Sequence, residues 1–343
     1  MTTIATTQQP ATLRASFSFY LPATSGPLIA GCAEVADAVV LHGPNGPKVI
    51  EAMRRDGFSG TALFDAARYE RDARPLDPSA WFDSQHAAGA DRLLTPGRWV
   101  PWDPSGDALR DAIRIERAPA AGSGDATMLL AIDSRWITKG IYMTIAALRD
   151  VPEPAALVLS HRDDPLGSSD AVNNLLGLTR SVSKLTFLRS DHGAVGALAF
   201  GAGHASVGLR PMYRHFVPPN VVAGGIPNDR TPRVFVWDLM DWFSAGTIAG
   251  WGASRARIVC AHNCCRGESL ARFLDARLID AADLHNRTVL AFLADQILDT
   301  PAEDRRRLFG RLCSDAVERY GAMGKLSMVT QPKRQLLQWA QFV

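Results

Sequence analysis

The chain has 343 residues, of which 47% are apolar and 21% charged, with 28 Gly and 21 Pro. This is the composition of a soluble globular protein, and it excludes the fibrous and intrinsically disordered classes. Lys and Arg number 37 against 35 Asp and Glu, which leaves a formal net charge of +2. A strongly basic nucleic-acid coat protein is therefore excluded, whereas an enzyme that holds nucleic acid on a local basic patch is not.

The composition of individual segments indicates the compartment. No stretch approaches the roughly 18 to 20 consecutive apolar residues of a membrane helix, and residues 1–13 are polar and Thr-rich, unlike a secretion signal. A cytoplasmic protein with no membrane partner is therefore expected. Three of the five cysteines fall within six positions. In a reducing compartment such crowding is typical of metal binding or reactivity rather than of a disulfide framework.

Short apolar runs alternate with amphipathic segments, a pattern typical of parallel strands joined by helices. Residues 118–125 (APAAGSGD) are predicted as a loop because they are small and Gly-containing. The predicted strands are 38–41, 61–64, 128–132, 156–160, 185–188, 205–209, 234–236 and 258–261. Their number favours a (β/α)8 barrel of the TIM type over an open sheet. We place the barrel core at 1–255 and a zinc-binding helical region at 256–343.

The segment RIVCAHNCCRGESLARFLD at 257–275 concentrates residue types that bind metals. Cys260, His262 and Cys265 stand at the end of a predicted strand, and His285 opens a predicted helix twenty residues later. Zinc prefers four tetrahedral ligands drawn from thiolate sulfur and imidazole nitrogen. These four residues are therefore predicted to bind Zn2+, with Cys264 as an alternative to Cys265. Unrelated buried cysteines and chance histidines are the simpler interpretation.

This segment resembles the C-terminal zinc subdomain of the tRNA-guanine transglycosylase family. The family motif is Cys-x-Cys-x-x-Cys, then a helix with a Ser-Arg-Ala-like start, then a His-Asn pair that opens another helix. Here 260, 262 and 265 keep the spacing with imidazole in the middle, SLAR at 269–272 stands at the helix, and 285–286 supply the pair. The resemblance, which spans about 56–297, implies a barrel with structural zinc that exchanges guanine for a 7-deazaguanine. It also implies a homodimer or heterodimer.

Two predicted strands stop at aspartates. Asp65 ends TALFD and Asp133 ends MLLAID, and the carboxyl ends of barrel strands carry the chemistry. The resemblance implies that Asp65 takes part in proton transfer and that Asp133 binds the base. A carboxylate is suited to the second role because it accepts hydrogen bonds from purine N–H groups. A helix N-cap is the alternative role for each aspartate.

Residues 188–216 resemble the family's next strand-helix-strand unit, whose last strand ends in a nucleophilic Asp before an Arg-containing loop and an Arg-His pair. Arg210 matches the loop and Arg214 the pair, which implies contact with a phosphate of nucleic acid. Gly208 stands where the nucleophile belongs, although covalent glycosyl exchange needs a carboxylate. Either the chain binds without catalysing, or another acid has taken the role: Asp191, Asp163 or Asp164.

The resemblance therefore implies a base-exchange transglycosylase, for which Asp65 and Asp191 are the predicted catalytic residues. Its partners are tRNA or DNA and a free 7-deazaguanine base. The alternative is a non-catalytic nucleic-acid-binding homologue or subunit on the same scaffold. A third interpretation is a barrel enzyme for a small phosphorylated metabolite. It rests on the Gly-rich run at 201–210, since backbone N–H groups and a nearby Arg bind phosphate at late barrel strands.

Overall fold

A computed structural model describes residues 15–70, 76–123, 126–219, 221, 231–252, 258–324 and 331–343. Several sequence predictions lie outside these ranges. They are the polar N-terminus at 1–13, the end of the predicted loop at 124–125, and the predicted domain boundary between 255 and 256. The division into two regions therefore stays a prediction.

A parallel sheet forms the centre of the described part. Its strands are β1 (Ser16–Pro22), β2 (Ala38–His42), β3 (Ala62–Asp65), β4 (Leu93–Leu94), β5 (Arg98–Val100), β6 (Ala126–Asp133), β7 (Ala155–Ser160), β8 (Leu185–Ser190) and β9 (His204–Gly208). They lie in the order β3-β2-β1-β9-β8-β7-β6-β4, with β5 also paired to β6. Because β4 and β5 together occupy one strand position, the sheet is a nearly closed eight-stranded barrel. The predicted α/β barrel class is confirmed at this level.

Alternate residues of each strand point to two different cores, as the two-residue period of a strand requires. Tyr20, Val40 and Val158 belong to a cluster inside the barrel. Their neighbours Phe19 and Leu41 pack instead in the larger cluster between the barrel and its helices. Strands covered on both faces read as continuous apolar runs, which is why β6 and β7 are buried along their whole length.

The barrel has a seam between β3 and β4, where no backbone pairing joins the two strands in the described ranges. Side chains of the helix that follows β3 form hydrogen bonds to β4 there instead. Gln85 donates from Nε2 to the carbonyl oxygen of Leu94 at 2.9 Å and accepts from the Leu94 N–H at 3.0 Å. Trp81 Nε1 donates to the same carbonyl at 2.8 Å. The buried backbone of β4 is therefore hydrogen-bonded without a strand neighbour on that side.

Helices surround the barrel and continue beyond it. In chain order they are α1 (Gly26–Ala33), α2 (Gly46–Arg55), α3 (Pro78–Ala87), α4 (Asp107–Ser123), α5 (Arg135–Thr138), α6 (Ile141–Leu148), α7 (Ser169–Ser181), α8 (Gly193–Ala199), α9 (Ala245–Gly252), α10 (Ile279–Asp299), α11 (Ala302–Gly324) and α12 (Arg334–Trp339). An antiparallel hairpin of β10 (Arg233–Val236) and β11 (Asp241–Ser244) precedes α9. Among the described residues, no helix is both long and apolar enough to cross a membrane.

Several predicted elements were wrong. Residues 234–236 form a strand of the hairpin rather than of the barrel, and 258–261 contribute only a bridge between Val259 and Ser269. The strand positions expected there belong to β1 and to β4 with β5. The described part of the predicted loop at 118–125 is the end of α4, because its alanines have the highest helix propensity. His285 lies inside α10, which begins at Ile279 rather than at His285.

Candidate functional site

The described residues contain one compact group of metal-ligating side chains, formed by Cys260, Cys264, Cys265 and His285. Their ligand atoms all lie within 4.8 Å of one another. The Cys264 sulfur is 3.8 Å from the sulfurs of both Cys260 and Cys265. His285 Nδ1 is 3.7 Å from the Cys264 sulfur and 3.3 Å from the Cys265 sulfur. Four donor atoms at these separations can surround a single metal ion.

A tight turn brings the three cysteines together. The Cys265 N–H donates to the His262 carbonyl oxygen at 3.0 Å, and the Gly267 N–H donates back to the Cys260 carbonyl oxygen at 2.8 Å. Arg266 and Gly267 both have positive φ, which reverses the chain toward the Val259–Ser269 bridge. His285 reaches the turn from α10, so the group ties the segment after the hairpin to a long helix.

Contacts around the group prepare its atoms to bind a cation. His285 Nε2 donates to the Phe235 carbonyl oxygen at 2.9 Å, which leaves the lone pair of Nδ1 free for a metal. Arg272 Nη2 donates to the Cys265 sulfur at 3.3 Å and brings a positive charge next to the thiols. Hydrogen bonds from Cys260 and Cys264 lower the pKa of the Cys265 thiol, which favours the thiolate that metals bind.

His262 lies outside this group. Cys264 supplies the fourth donor atom, a role that the sequence analysis assigned to His262. The His262 ring packs at 5.3 Å from the Trp237 ring and at 4.8 Å from the Phe292 ring. Cys264 and Cys265 were treated in the sequence as alternatives because they are adjacent. The turn instead directs both sulfurs to the same point.

At the mouth of the barrel, Asp65 ends β3 with no exposed surface. Its Oδ2 accepts hydrogen bonds from the hydroxyls of Tyr20 at 2.6 Å and Tyr69 at 2.5 Å. Its Oδ1 accepts from the Ala67 N–H at 2.7 Å, which is a turn contact and not the cap of a helix. Burial and the charge of Asp65 raise the pKa values of both tyrosines, which keeps their hydroxyls protonated.

The contacts of Asp65 extend into a hydrogen-bonded network. Tyr20 also pairs with His42 Nδ1 at 2.9 Å, and His42 Nε2 lies 3.5 Å from a carboxylate oxygen of Glu70. The other Glu70 oxygen accepts from Arg189 Nη1 at 2.5 Å. Burial raises the pKa of Glu70, but the His42 hydrogen bond and the Arg189 charge outweigh it and lower the value to about 2. Arg189 has a φ of 49°, a strained conformation for a residue with a side chain.

The segment after β9 covers this network. The Tyr213 ring lies 6.0 Å from the Tyr20 ring and 5.3 Å from the His42 ring. Phe216 pairs with the end of β7 and packs against Tyr69 at 4.9 Å. At position 208, where the resemblance expects a nucleophilic Asp, an added Cβ would lie 2.1 Å from the Tyr213 carbonyl oxygen. Only glycine fits there, so this strand end carries no carboxylate.

The other predicted site residues also follow barrel strands, and each of them contacts a different neighbour. Asp133 ends β6, and Arg135 donates to its two oxygens at 2.9 and 2.8 Å, so a base could bind there only if Arg135 moved. Arg210 lies 3.6 Å from Asp283. Arg214 stacks 3.2 Å above the Trp242 ring, and burial lowers its pKa to about 9.

Asp191 follows β8 and lines a pocket of about 210 Å³ with Asp164, Arg214 and Lys333. A neighbouring pocket of about 650 Å³ shares Asp164 and runs past Asp133 and Arg135. Together the two pockets are lined by residues at the carboxyl ends of β6, β7 and β8. Sequence reasoning missed the contribution of Lys333, because the C-terminal segment carries no motif that points to the barrel.

Comparisons with known proteins add no assignment. No protein-family model matches the chain, and no curated protein matches it by sequence. The resemblance to the tRNA-guanine transglycosylases therefore rests on the residues quoted for it.

Proposed function

We propose that this protein is a zinc-containing transglycosylase that exchanges a guanine in tRNA or DNA for a 7-deazaguanine. The observation that supports it best is the convergence of Cys260, Cys264, Cys265 and His285 on one point. Its three cysteines lie in the chain between the last barrel strand and α10, and its histidine lies on α10 itself. The resemblance implies a metal site at that position of a (β/α)8 barrel.

The geometry of the group supports zinc as its metal. With Zn–S bonds of about 2.3 Å, two thiolates of a tetrahedral site lie about 3.8 Å apart. The Cys264 sulfur has this separation from both of its neighbours. Four protein donors fill the coordination sphere, so the ion would be structural and would leave no open position for a substrate.

In the proposed reaction, a carboxylate oxygen of Asp191 attacks the anomeric carbon of the nucleotide while the bond to the guanine nitrogen breaks and that nitrogen takes up a proton. The incoming 7-deazaguanine loses a proton and then displaces the aspartyl ester. Asp133 would hold the base once Arg135 has moved away, and Arg210 and Arg214 would lie near phosphates. Asp65 would assist proton transfer through the hydroxyls to which it is bonded.

The test measures incorporation of labelled guanine and of a labelled 7-deazaguanine into tRNA and into DNA. The wild-type protein should incorporate label into one of the two nucleic acids, and the Asp191→Asn and Asp65→Asn variants should not. Asp83→Asn is the matched control, since Asp83 is exposed on α3 away from the rim. Absence of incorporation with every acceptor, by a folded and zinc-loaded protein, would refute the proposal.

A non-catalytic nucleic-acid-binding homologue is the second candidate. It is favoured by position 208, where the Tyr213 backbone occupies the space of the expected nucleophile. It predicts that the protein binds tRNA or DNA with an affinity that falls with salt, but incorporates no base. The same incorporation assay, run beside a binding measurement, distinguishes the two candidates.

A further inference from the structure

Two carboxylates meet in the pocket beside the barrel mouth. Asp191 follows β8, and Asp164 lies in the loop between β7 and α7, so the two come from neighbouring strands of the barrel. Gln335, from the C-terminal helix α12, donates from Nε2 to Asp164 Oδ2 at 2.6 Å and to Asp191 Oδ2 at 3.4 Å. Because both oxygens bond the same nitrogen, they are at most about 6 Å apart.

The surroundings shift the pKa values of the two carboxyl groups in opposite directions. Burial and the charge of Asp191 raise the pKa of Asp164 to about 7. Burial also opposes ionisation of Asp191, but His192, Lys333 and the Gly193 N–H together lower its pKa. A pair of acids whose environments move their pKa values apart is the arrangement that supplies one proton donor and one anion near neutral pH.

The other charged groups that face the pair come from three parts of the chain. Arg214 and His215 belong to the segment after β9, and Arg233 begins the hairpin. Lys333 precedes α12 and bonds Asp241 of the hairpin at 2.6 Å. The pocket therefore combines two carboxylates with several cations, a lining suited to a sugar attached to phosphate groups.

We propose that Asp164 and Asp191 are the catalytic pair of the glycosyl transfer, Asp191 as the nucleophile and Asp164 as the acid that protonates the departing base directly, whereas Asp65 acts only through the tyrosine hydroxyls bonded to it. This inference rests on the proposed function. As the carbon–nitrogen bond breaks, the proton of Asp164 passes to the guanine nitrogen, and Asp191 forms the ester. In the second step a nitrogen of the incoming base bonds to the anomeric carbon as the ester bond to Asp191 breaks, and Asp164 takes the proton that this nitrogen loses.

The separation of the two acids agrees with this chemistry. Enzymes that retain configuration through a covalent intermediate hold their carboxyl groups about 5 to 5.5 Å apart, whereas inverting enzymes need about 6.5 to 9.5 Å to admit a water. The limit of about 6 Å that Gln335 sets lies below the range of the inverting enzymes. Base exchange must also retain configuration, since the new base takes the position of the old one.

The activity experiment follows exchange of labelled guanine into the nucleic acid as a function of pH. In the wild type the rate should fall above about pH 7, as Asp164 loses its proton. Asp164→Asn should lower exchange by about 10² to 10⁴-fold and abolish this limb of the profile. Asp170→Asn, an exposed change in the first turn of α7, is the control and should leave the profile unchanged. Exchange at the wild-type rate in Asp164→Asn would overturn the inference.

A second measurement does not depend on activity. Carbon-13 NMR of protein labelled at the aspartate carboxyl carbons should show one group that titrates near pH 7 and is absent from Asp164→Asn. In Asp191→Asn that titration should move to lower pH, because the neighbouring negative charge is gone. If no aspartate titrates near pH 7, the pair is refuted even where exchange is found. If the titration is present but the wild type exchanges no base, the proposed function and the catalytic role fail while the coupled pair stands.

Discussion

Position 208 illustrates how backbone packing restricts the side chain that a strand end can carry. The segment after β9 folds back so closely that the Tyr213 carbonyl oxygen occupies the place of a Cβ at 208. The Arg214 side chain fixes this path, since its Nε and Nη2 donate to the carbonyl oxygens of Gly208 and Leu209 at 3.1 and 2.8 Å. The glycine at 208 is therefore part of how the segment covers the barrel mouth.

We expect Gly208→Ala to destabilise the protein by at least about 1 to 3 kcal/mol, because the new methyl group forces the covering segment away from β9. Gly177→Ala is the matched control: no atom lies within 4 Å of its Cβ, it is inside α7, and alanine should stabilise the helix by about 0.8 to 1.0 kcal/mol. Urea unfolding of both variants measures the difference. Equal stabilities of Gly208→Ala and wild type would contradict the packing described here.

The choice between Cys264 and His262 as metal ligand can be tested directly. Cys264→Ser should reduce bound zinc and lower the melting temperature, because it removes one of four donors. His262→Ala should keep stoichiometric zinc and lose only the ring contacts with Trp237 and Phe292. Metal content by elemental analysis and a chelator competition provide the readouts. Loss of zinc from His262→Ala with retention in Cys264→Ser would reverse the ligand assignment.

His204 makes stability depend on pH from inside the barrel. It is fully enclosed between the hydroxyls of Ser16 and Ser18, at 2.7 and 2.9 Å, and burial lowers its pKa to about 3. The unfolded chain binds a proton at His204 below pH 6.5 and the folded chain does not, so stability is lost as pH falls from about 6.5 toward 3. In urea unfolding, wild type should lose up to about 1.4 kcal/mol more per pH unit than His204→Gln. Parallel pH profiles would contradict this.

At the scale of elements, some barrel strands can be predicted from the sequence and others cannot. β3 and β6 end at Asp65 and Asp133 as predicted, because continuous apolar runs mark strands buried on both faces. β1 was missed because serines alternate with its aromatic residues, and β4 because it has only two residues. Residues 234–236 have an equally apolar pattern but pair with β11 in a hairpin. Which strand they pair with depends on residues elsewhere in the chain, and a local pattern does not show it.

The seam between β3 and β4 makes Gln85 a structural substitute for a strand neighbour. Gln85→Leu should cost about 1 to 3 kcal/mol, since the buried Leu94 N–H loses its acceptor. Asp83→Leu, an exposed change on the same helix, should stay within about 0.5 kcal/mol. Equilibrium denaturation compares them, and equal effects of the two changes would show that the Gln85 contacts do not hold β4.

At the scale of the whole molecule, the site residues differ in how far apart they lie along the chain. The four residues of the metal group, Cys260, Cys264, Cys265 and His285, fall within 26 positions, so their spacing was visible in the sequence. The bond between Gln335 and Asp164 joins positions 171 residues apart, and no local pattern indicates it. Cys264 was only an alternative in the sequence, since the path of a turn and not spacing decides which adjacent thiol faces the group.

The group formed by the three cysteines and His285 connects elements that lie outside the barrel sheet. It joins the turn at 260–267 to α10, and α10 in turn contacts the hairpin, since Asn286 accepts from the Phe235 N–H at 2.9 Å and donates to the Arg233 carbonyl oxygen at 2.8 Å. The barrel strands are joined by their own parallel ladders. A bound metal should therefore stabilise the hairpin and the turn far more than the barrel.

Removal of the metal by a chelator should lower the melting temperature and raise amide hydrogen exchange in 233–244 and 258–274, because metal binding contributes its free energy to the structure that forms the site. Exchange in β1, β2, β6 and β7 should change little, since their hydrogen bonds do not involve the group. Restoring zinc should reverse both effects, and the Cys264→Ser variant should resemble the chelated protein without chelator. Uniform loss of protection across the barrel would show instead that the metal supports the whole fold, and no change at all would show that the group holds no metal.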